Sequence, residues 1–161
     1  MSQLIVSGTT SLIVLEKQNQ LSLLCQLFDE VIIPQAVYTE LIIGLDSNKT
    51  IKAFSCLKIK SVVPSKRLDD LLIILDQGEA EAIELAIREN LPLIIDEKKG
   101  RKIACNFGLV VTGLAGILIL ATQKKVLSSA QSKKMLETSI LNGYRLSEAL
   151  YKQVMDKLNT L

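Results

Sequence analysis

The sequence predicts an α/β fold: a three-layer sandwich with a mainly parallel central sheet and extra C-terminal helices. Short apolar runs at residues 4–6 (LIV), 31–33 (VII), 93–95 (LII) and 109–111 (LVV) alternate with longer segments of helical periodicity. Strands joined in that way belong to parallel sheets covered on both faces. The stretch from Asp76 to Gly113 repeats the pattern as helix, strand, helix, strand, and its two strand candidates end at Asp96 and Thr112. In open parallel sheets ligands bind beyond the carboxyl ends of the strands, so the chemistry is expected there.

Taken in order, residues 3–7 read as a first strand, and Gly8-Thr9-Thr10-Ser11 turns the chain, a hydroxyl capping a helix over 12–17. A second amphipathic segment covers 21–27. The strand at 31–33 leads into Pro34, which suits the first position of a helix over 35–43 stopped by Gly44. Residues 45–56 are the least determined, starting with a loop-like Asp46-Ser47-Asn48-Lys49. Residues 57–63 alternate apolar and polar and read as an edge strand ended by Pro64. A short helix over 69–75 precedes the central stretch. After Gly113 come helical patterns over 114–123, 131–141 and 147–158, the last two parted by Asn142-Gly143, with Ser147 as an N-cap. No internal repeat or linker interrupts the 161 residues, so a single domain over 1–161 is expected.

Composition removes several functions. An apolar share of 48% excludes a disordered chain, and a formal charge of +2 is too small to announce nucleic acid except through a local patch. With no histidine, Ser-His-Asp triads, Cys-His pairs and most catalytic zinc sites are impossible. Cys25, Cys56 and Cys105 are scattered and are expected to be buried thiols of a reducing compartment. The N-terminus shows no basic region followed by an apolar one, and the apolar stretch over 109–121 falls short of the ~18 residues of a membrane span. A cytoplasmic protein is expected.

Four carboxylates and a threonine are candidates for function. Glu40 borders the apolar stripe of Val37, Tyr38 and Leu41, and is either a site residue or a partly exposed helix glutamate. Glu79 sits near the axis of the face formed by Ala82, Ile83, Ala86 and Ile87, whereas Glu81 points almost opposite. A carboxylate at the edge of a buried face needs a reason. Either Asp76 and Glu79 form a capping box, or Glu79 serves a metal site. Asp96 either caps the next helix or acts at the ligand edge, and Thr112 stands at the equivalent place on the neighbouring strand. Carboxylates converging without histidine suit a hard cation such as Mg²⁺ or Mn²⁺. Beside Asp96, Lys98, Lys99, Arg101 and Lys102 either grip a phosphate backbone or form a solvated helix face.

Ser7-Gly8-Thr9, Ile33-Pro34, Tyr38-Thr39-Glu40-Leu41, Gly78-Glu79-Ala80-Glu81-Ala82-Ile83, Ile95-Asp96-Glu97, Gly100-Arg101 and Val111-Thr112-Gly113, in that order, resemble the PIN domain. More narrowly, they resemble its prokaryotic branch of relatives of toxin–antitoxin toxins. The similarity extends through Gly143-Tyr144-Arg145-Leu146-Ser147. It implies a metal-dependent nuclease, a hydrolase that cleaves single-stranded RNA with Mg²⁺ or Mn²⁺. The acidic set would be Glu40, Glu79 (with Glu81 as rival) and Asp96, supported by Thr112. A homodimer and a small antitoxin partner are also implied. The chain departs from the pattern at Gly8, where the family usually carries an aspartate, and no adjacent acid replaces it. Metal affinity and cleavage are therefore expected to be weakened or lost.

The competing readings are a catalytically inactive PIN-like module that binds RNA or a protein, a phosphoacceptor receiver domain, and a Rossmann domain. A receiver wants an acidic pair after strand one and a lysine ending a late strand; Gly8-Thr9 and Thr112-Gly113 supply neither. No G-x-G-x-x-G follows any strand, which disfavours the Rossmann reading.

Overall fold

The computed structural model describes residues 3–45 and 49–161. Among them, β1 (Leu4–Ser7), β2 (Glu30–Pro34), β3 (Leu57–Lys60), β4 (Leu93–Ile94) and β5 (Val111–Thr112) form one sheet in the order β3-β2-β1-β4-β5. Every pairing is parallel. The register sets Ser7 beside Ile94 and Ile94 beside Thr112. Gly8, Asp96 and Gly113 therefore follow their strands at one edge.

The period-two alternation of the strands divides the core. Ile5, Val31, Ile33 and Ile94 face one cluster, with α1 (Thr9–Lys17), α2 (Ser22–Leu27), α3 (Gln35–Leu45), α8 (Leu114–Gln123), α9 (Ser129–Leu141) and α10 (Glu148–Asn159). Val6, Ile32, Leu93 and Ile95 face the other, with α5 (Lys66–Ile74), α6 (Gln77–Glu89) and α7 (Lys98–Asn106). The short α4 (Lys49–Lys52) completes the helices of the described residues. The three-layer α/β sandwich is as expected, and the extra C-terminal helices thicken the first layer.

Local chemistry explains most boundaries. Ser65, Asp76, Ser128 and Ser147 cap α5, α6, α9 and α10 by accepting from backbone N–H groups, with a full capping box between Ser128 and Gln131. Asn90, in the left-handed conformation at φ 52°, ends α6.

Several expectations are corrected. Thr9, Thr10 and Ser11 lie inside α1, whose N-cap is Gly8 without a side-chain bond, because those hydroxyls are engaged elsewhere. Gly44 does not stop α3: it lets α1 approach, since a Cβ there would lie 3.0 Å from Ile13 Cδ1. The run at 109–111 is not a buried strand, because β5 is an edge strand, pairs only from Val111, and leaves Val110 73% exposed. Cys25 and Cys56 are not free thiols but a disulfide, with Cα atoms 5.6 Å apart, and Cys105 is exposed rather than buried. Parallel pairing of β2 with β3 draws Cys56 next to the α2–β2 corner, where its carbonyl accepts from Val31 N–H. The loop expected at Asp46-Ser47-Asn48 lies outside the described residues. Among those described, no helix is long and apolar enough to cross a membrane.

The α5–α6 layer contains one fully buried charge. Glu84 accepts from Arg67 Nε and Nη2, at 3.0 and 2.7 Å to Oε1, and from Arg88 Nε at 3.1 Å. Burial pushes its carboxyl up, but the two guanidinium groups more than offset this, and it stays below the usual carboxylate range. Glu84→Gln should cost about 1–3 kcal/mol of stability, read as a lower urea midpoint at neutral pH.

Candidate active site

Three consecutive hydroxyls in the first turn of α1 each hold a different carboxylate. Thr9 Oγ1 donates to Glu40 Oε2 at 2.7 Å, Thr10 donates to Glu97, and Ser11 Oγ donates to Asp96 Oδ2 at 2.5 Å. Because α1 leaves the central strand at Gly8, its first turn sits between the α3 side and the β4 side of the sheet edge. Glu40 comes from α3 and Asp96 from the end of β4, so the turn ties together elements far apart in sequence. Asp96 is the most tightly held: Oδ1 also accepts from Leu114 N–H at 2.8 Å and Tyr144 OH at 2.9 Å. Burial, then the Asp96 charge and hydrogen bond, push the Tyr144 hydroxyl up, so it remains a donor.

Close backbone approach makes room for the acids. An added Cβ at Gly100 would lie 2.8 Å from Glu79 Oε2, and one at Gly113 would lie 2.7 Å from Asp96 Oδ1. A Cβ at Gly78 would collide with Glu40 Oε1. A side chain at any of the three would displace the carboxylate it faces.

Glu79 lies half-buried among Asp76, Glu97 and Glu40. Burial first, then the hydrogen bond to the Asp76 carboxyl and the charges of Asp76, Glu97 and Glu40, push its carboxyl up to about 8. Asp76 accepts from Glu79 N–H at 2.8 Å, so the expected cap exists. The Glu79 side chain does not complete a capping box but turns to the Asp76 carboxyl. Glu81 does not point away from the buried side as its helical phase suggested. It is 9% exposed and accepts from Ala36 N–H at 3.0 Å and Gln77 Nε2 at 3.2 Å. The reason is that α6 packs on α3 there, and Glu81 satisfies the N-terminus of α3, where free N–H groups favour a carboxylate.

Thr112 does not support Asp96 either. Its hydroxyl donates to Gly113 O at 3.3 Å and lies against Gly116; Tyr144 and Ser11 hold Asp96 instead. Ser11 was visible only as a helix cap, and Tyr144 only within the Gly143-Tyr144-Arg145-Leu146-Ser147 stretch of the resemblance, with no role attached. Of the basic run, Lys98 and Arg101 line the clefts around Asp96, whereas Lys99 and Lys102 are exposed outside those linings. Lys17 and Arg145, far away in sequence, join them.

The family model described as PIN domain matches residues 4–160. The chain belongs to the PIN-domain family. A solved PilT N-terminus domain protein from the hyperthermophilic archaeon Sulfolobus solfataricus P2 is 18% identical, over 74% of this chain and 92% of its own, with a TM-score of 0.48. No curated protein matches the sequence. PIN domains are generally nucleases and typically use divalent metal ions. The residues of this PIN domain do not fit such an ion as they stand. Among the described residues no group of three Asp, Glu, His or Cys is placed to hold a metal. Asp96 already accepts three hydrogen bonds, and Gly8 puts no carboxylate between the Thr9–Glu40 and Ser11–Asp96 pairs.

A raised carboxyl has a stability signature. The folded state holds the Glu79 proton more tightly than the unfolded chain, so stability is fullest below about 4.5 and falls as pH rises toward 8. Melting temperatures measured between pH 5 and 8 should decline more steeply for the unmodified chain than for Glu79→Gln.

Proposed function

We propose that this PIN domain binds single-stranded RNA along the cationic clefts beside Asp96, and that its metal-dependent ribonuclease activity is impaired at Gly8. The observation that carries this reading is the position of Gly8. It ends the central strand, hydrogen-bonds Ile94 O at 2.8 Å, and is followed by the hydroxyls that hold Glu40, Glu97 and Asp96. A missing ligand at that point removes the charge that would link the two carboxylate groups. Lys98 and Arg101, with Lys17 and Arg145, supply the local positive footprint that RNA needs despite the small net charge. Mg²⁺ or Mn²⁺ as the metal suits carboxylates in a chain without histidine; a homodimer and a small antitoxin partner rest on the family resemblance alone, and a cytoplasmic location on the sequence reading alone.

The backbone permits repair. Gly8 is extended at φ −78° and ψ −171°, which any residue adopts, and an added Cβ would meet Ile94 O at 3.3 Å, so the Ile94 carbonyl must give by a few tenths of an ångström. In Mn²⁺ calorimetry paired with cleavage of a single-stranded RNA, Gly8→Asp should bind metal and cut at least tenfold faster than the unmodified chain. If neither protein binds metal or cuts, the nuclease reading fails and an inactive binding module becomes the better account.

A further inference from the structure

The cleft between α1 and the α9–α10 turn has a volume of about 640 Å³. It is lined by two acids, Asp96 and Glu97, and three cations, Lys17, Lys98 and Arg145. The acids are satisfied inside the fold, Glu97 by Thr10 and Asp96 by Ser11, Leu114 N–H and Tyr144. The cations are not. Among the described residues, none of the three side chains has an ion pair or hydrogen bond. Unpaired cations around a cavity whose acids are already engaged favour an anion.

Asp96, Lys98, Tyr144 and Arg145 also line a second cavity of about 550 Å³, so the two adjoin at the Tyr144–Asp96 hydrogen bond. Tyr144 is anchored: it is 8% exposed, its N–H donates to Ser139 O at 2.9 Å, and the Ser139 hydroxyl accepts from Gln18 Nε2 at 2.7 Å. An internal phosphodiester carries one negative charge, whereas a phosphate monoester carries about 1.5–2 at pH 7. A monoester also presents three terminal oxygens where an internal phosphodiester presents two, so three cations without a partner inside the fold suit the monoester better, and Ile13 and Val14 offer an apolar wall for a sugar or base.

We propose that this cleft is a binding site for a phosphate monoester on a nucleotide, either the phosphorylated end of an RNA strand or a free mononucleotide. The inference deepens the RNA reading above and names the part of the strand that this PIN domain recognises. The test measures binding in EDTA of AMP and of a ten-nucleotide single-stranded RNA bearing a 5′-phosphate, a 3′-phosphate or hydroxyls at both ends, to the unmodified chain, Arg145→Ala and Lys17→Ala. A phosphorylated end should tighten RNA binding about tenfold, the effect of one charge-assisted contact, and Arg145→Ala should abolish that difference. AMP binding that depends on Arg145, without RNA binding, would keep the site and sink the RNA reading. Equal affinity for phosphorylated and hydroxyl-ended RNA would overturn this inference and leave the RNA reading intact. If neither AMP nor any RNA binds, both are wrong.

Discussion

Three hydroxyls on one helical turn hold the ligand edge of this protein together. Thr9, Thr10 and Ser11 reach Glu40, Glu97 and Asp96, which come from α3 and from the segment following β4. Each is a hydrogen bond to a charged or ionisable group, a stronger class than the neutral kind. They fix the relative positions of β1, α3 and the β4–α7 junction at the point where a parallel sheet presents its ligand site. Without donors there, several carboxylates at one sheet edge would repel one another. The turn lowers that cost, and Glu79 lowers it further by keeping its proton near neutral pH.

The same turn explains why an acidic edge does not amount to a metal centre. A serine hydroxyl, an N–H and a phenol already occupy the oxygens of Asp96, while Glu81 satisfies the N-terminus of α3. Gly8 sits where a further carboxylate would join the groups on either side. Gly78, Gly100 and Gly113 still leave the space that Glu40, Glu79 and Asp96 fill, so the acids remain close to the backbone around an incomplete set. What the edge keeps is its cationic rim, Lys17, Lys98, Arg101 and Arg145.

Much of this was legible in the residues. The apolar runs gave the strands because a buried parallel strand is continuous and short, and Asp76, Ser147 and Asn142-Gly143 punctuated the helices as their chemistry dictates. Asp96 was found because a polar residue ending a central strand has one natural location. Glu81 was misjudged because helical phase is measured against one apolar face, whereas α6 is covered by both the sheet and α3. Val110 misled because an apolar run does not reveal whether its strand lies at the centre or the edge of a sheet. Tyr144, Lys17 and Arg145 reach the site through the packing of α1 and the α9–α10 turn, which no local pattern encodes. The Cys25–Cys56 bond was hidden for the same reason, since it depends on the neighbour relation of β2 and β3.

In the function proposed above, the chain's own cations, not a metal ion, hold RNA at this edge. The most direct measurement is the affinity for a single-stranded RNA across a range of salt concentrations, with and without EDTA. The account predicts that EDTA changes nothing and that log K falls linearly with log salt, with a slope of about −2 to −3 for contacts from four cations. Loss of binding in EDTA, or affinity indifferent to salt, would contradict it.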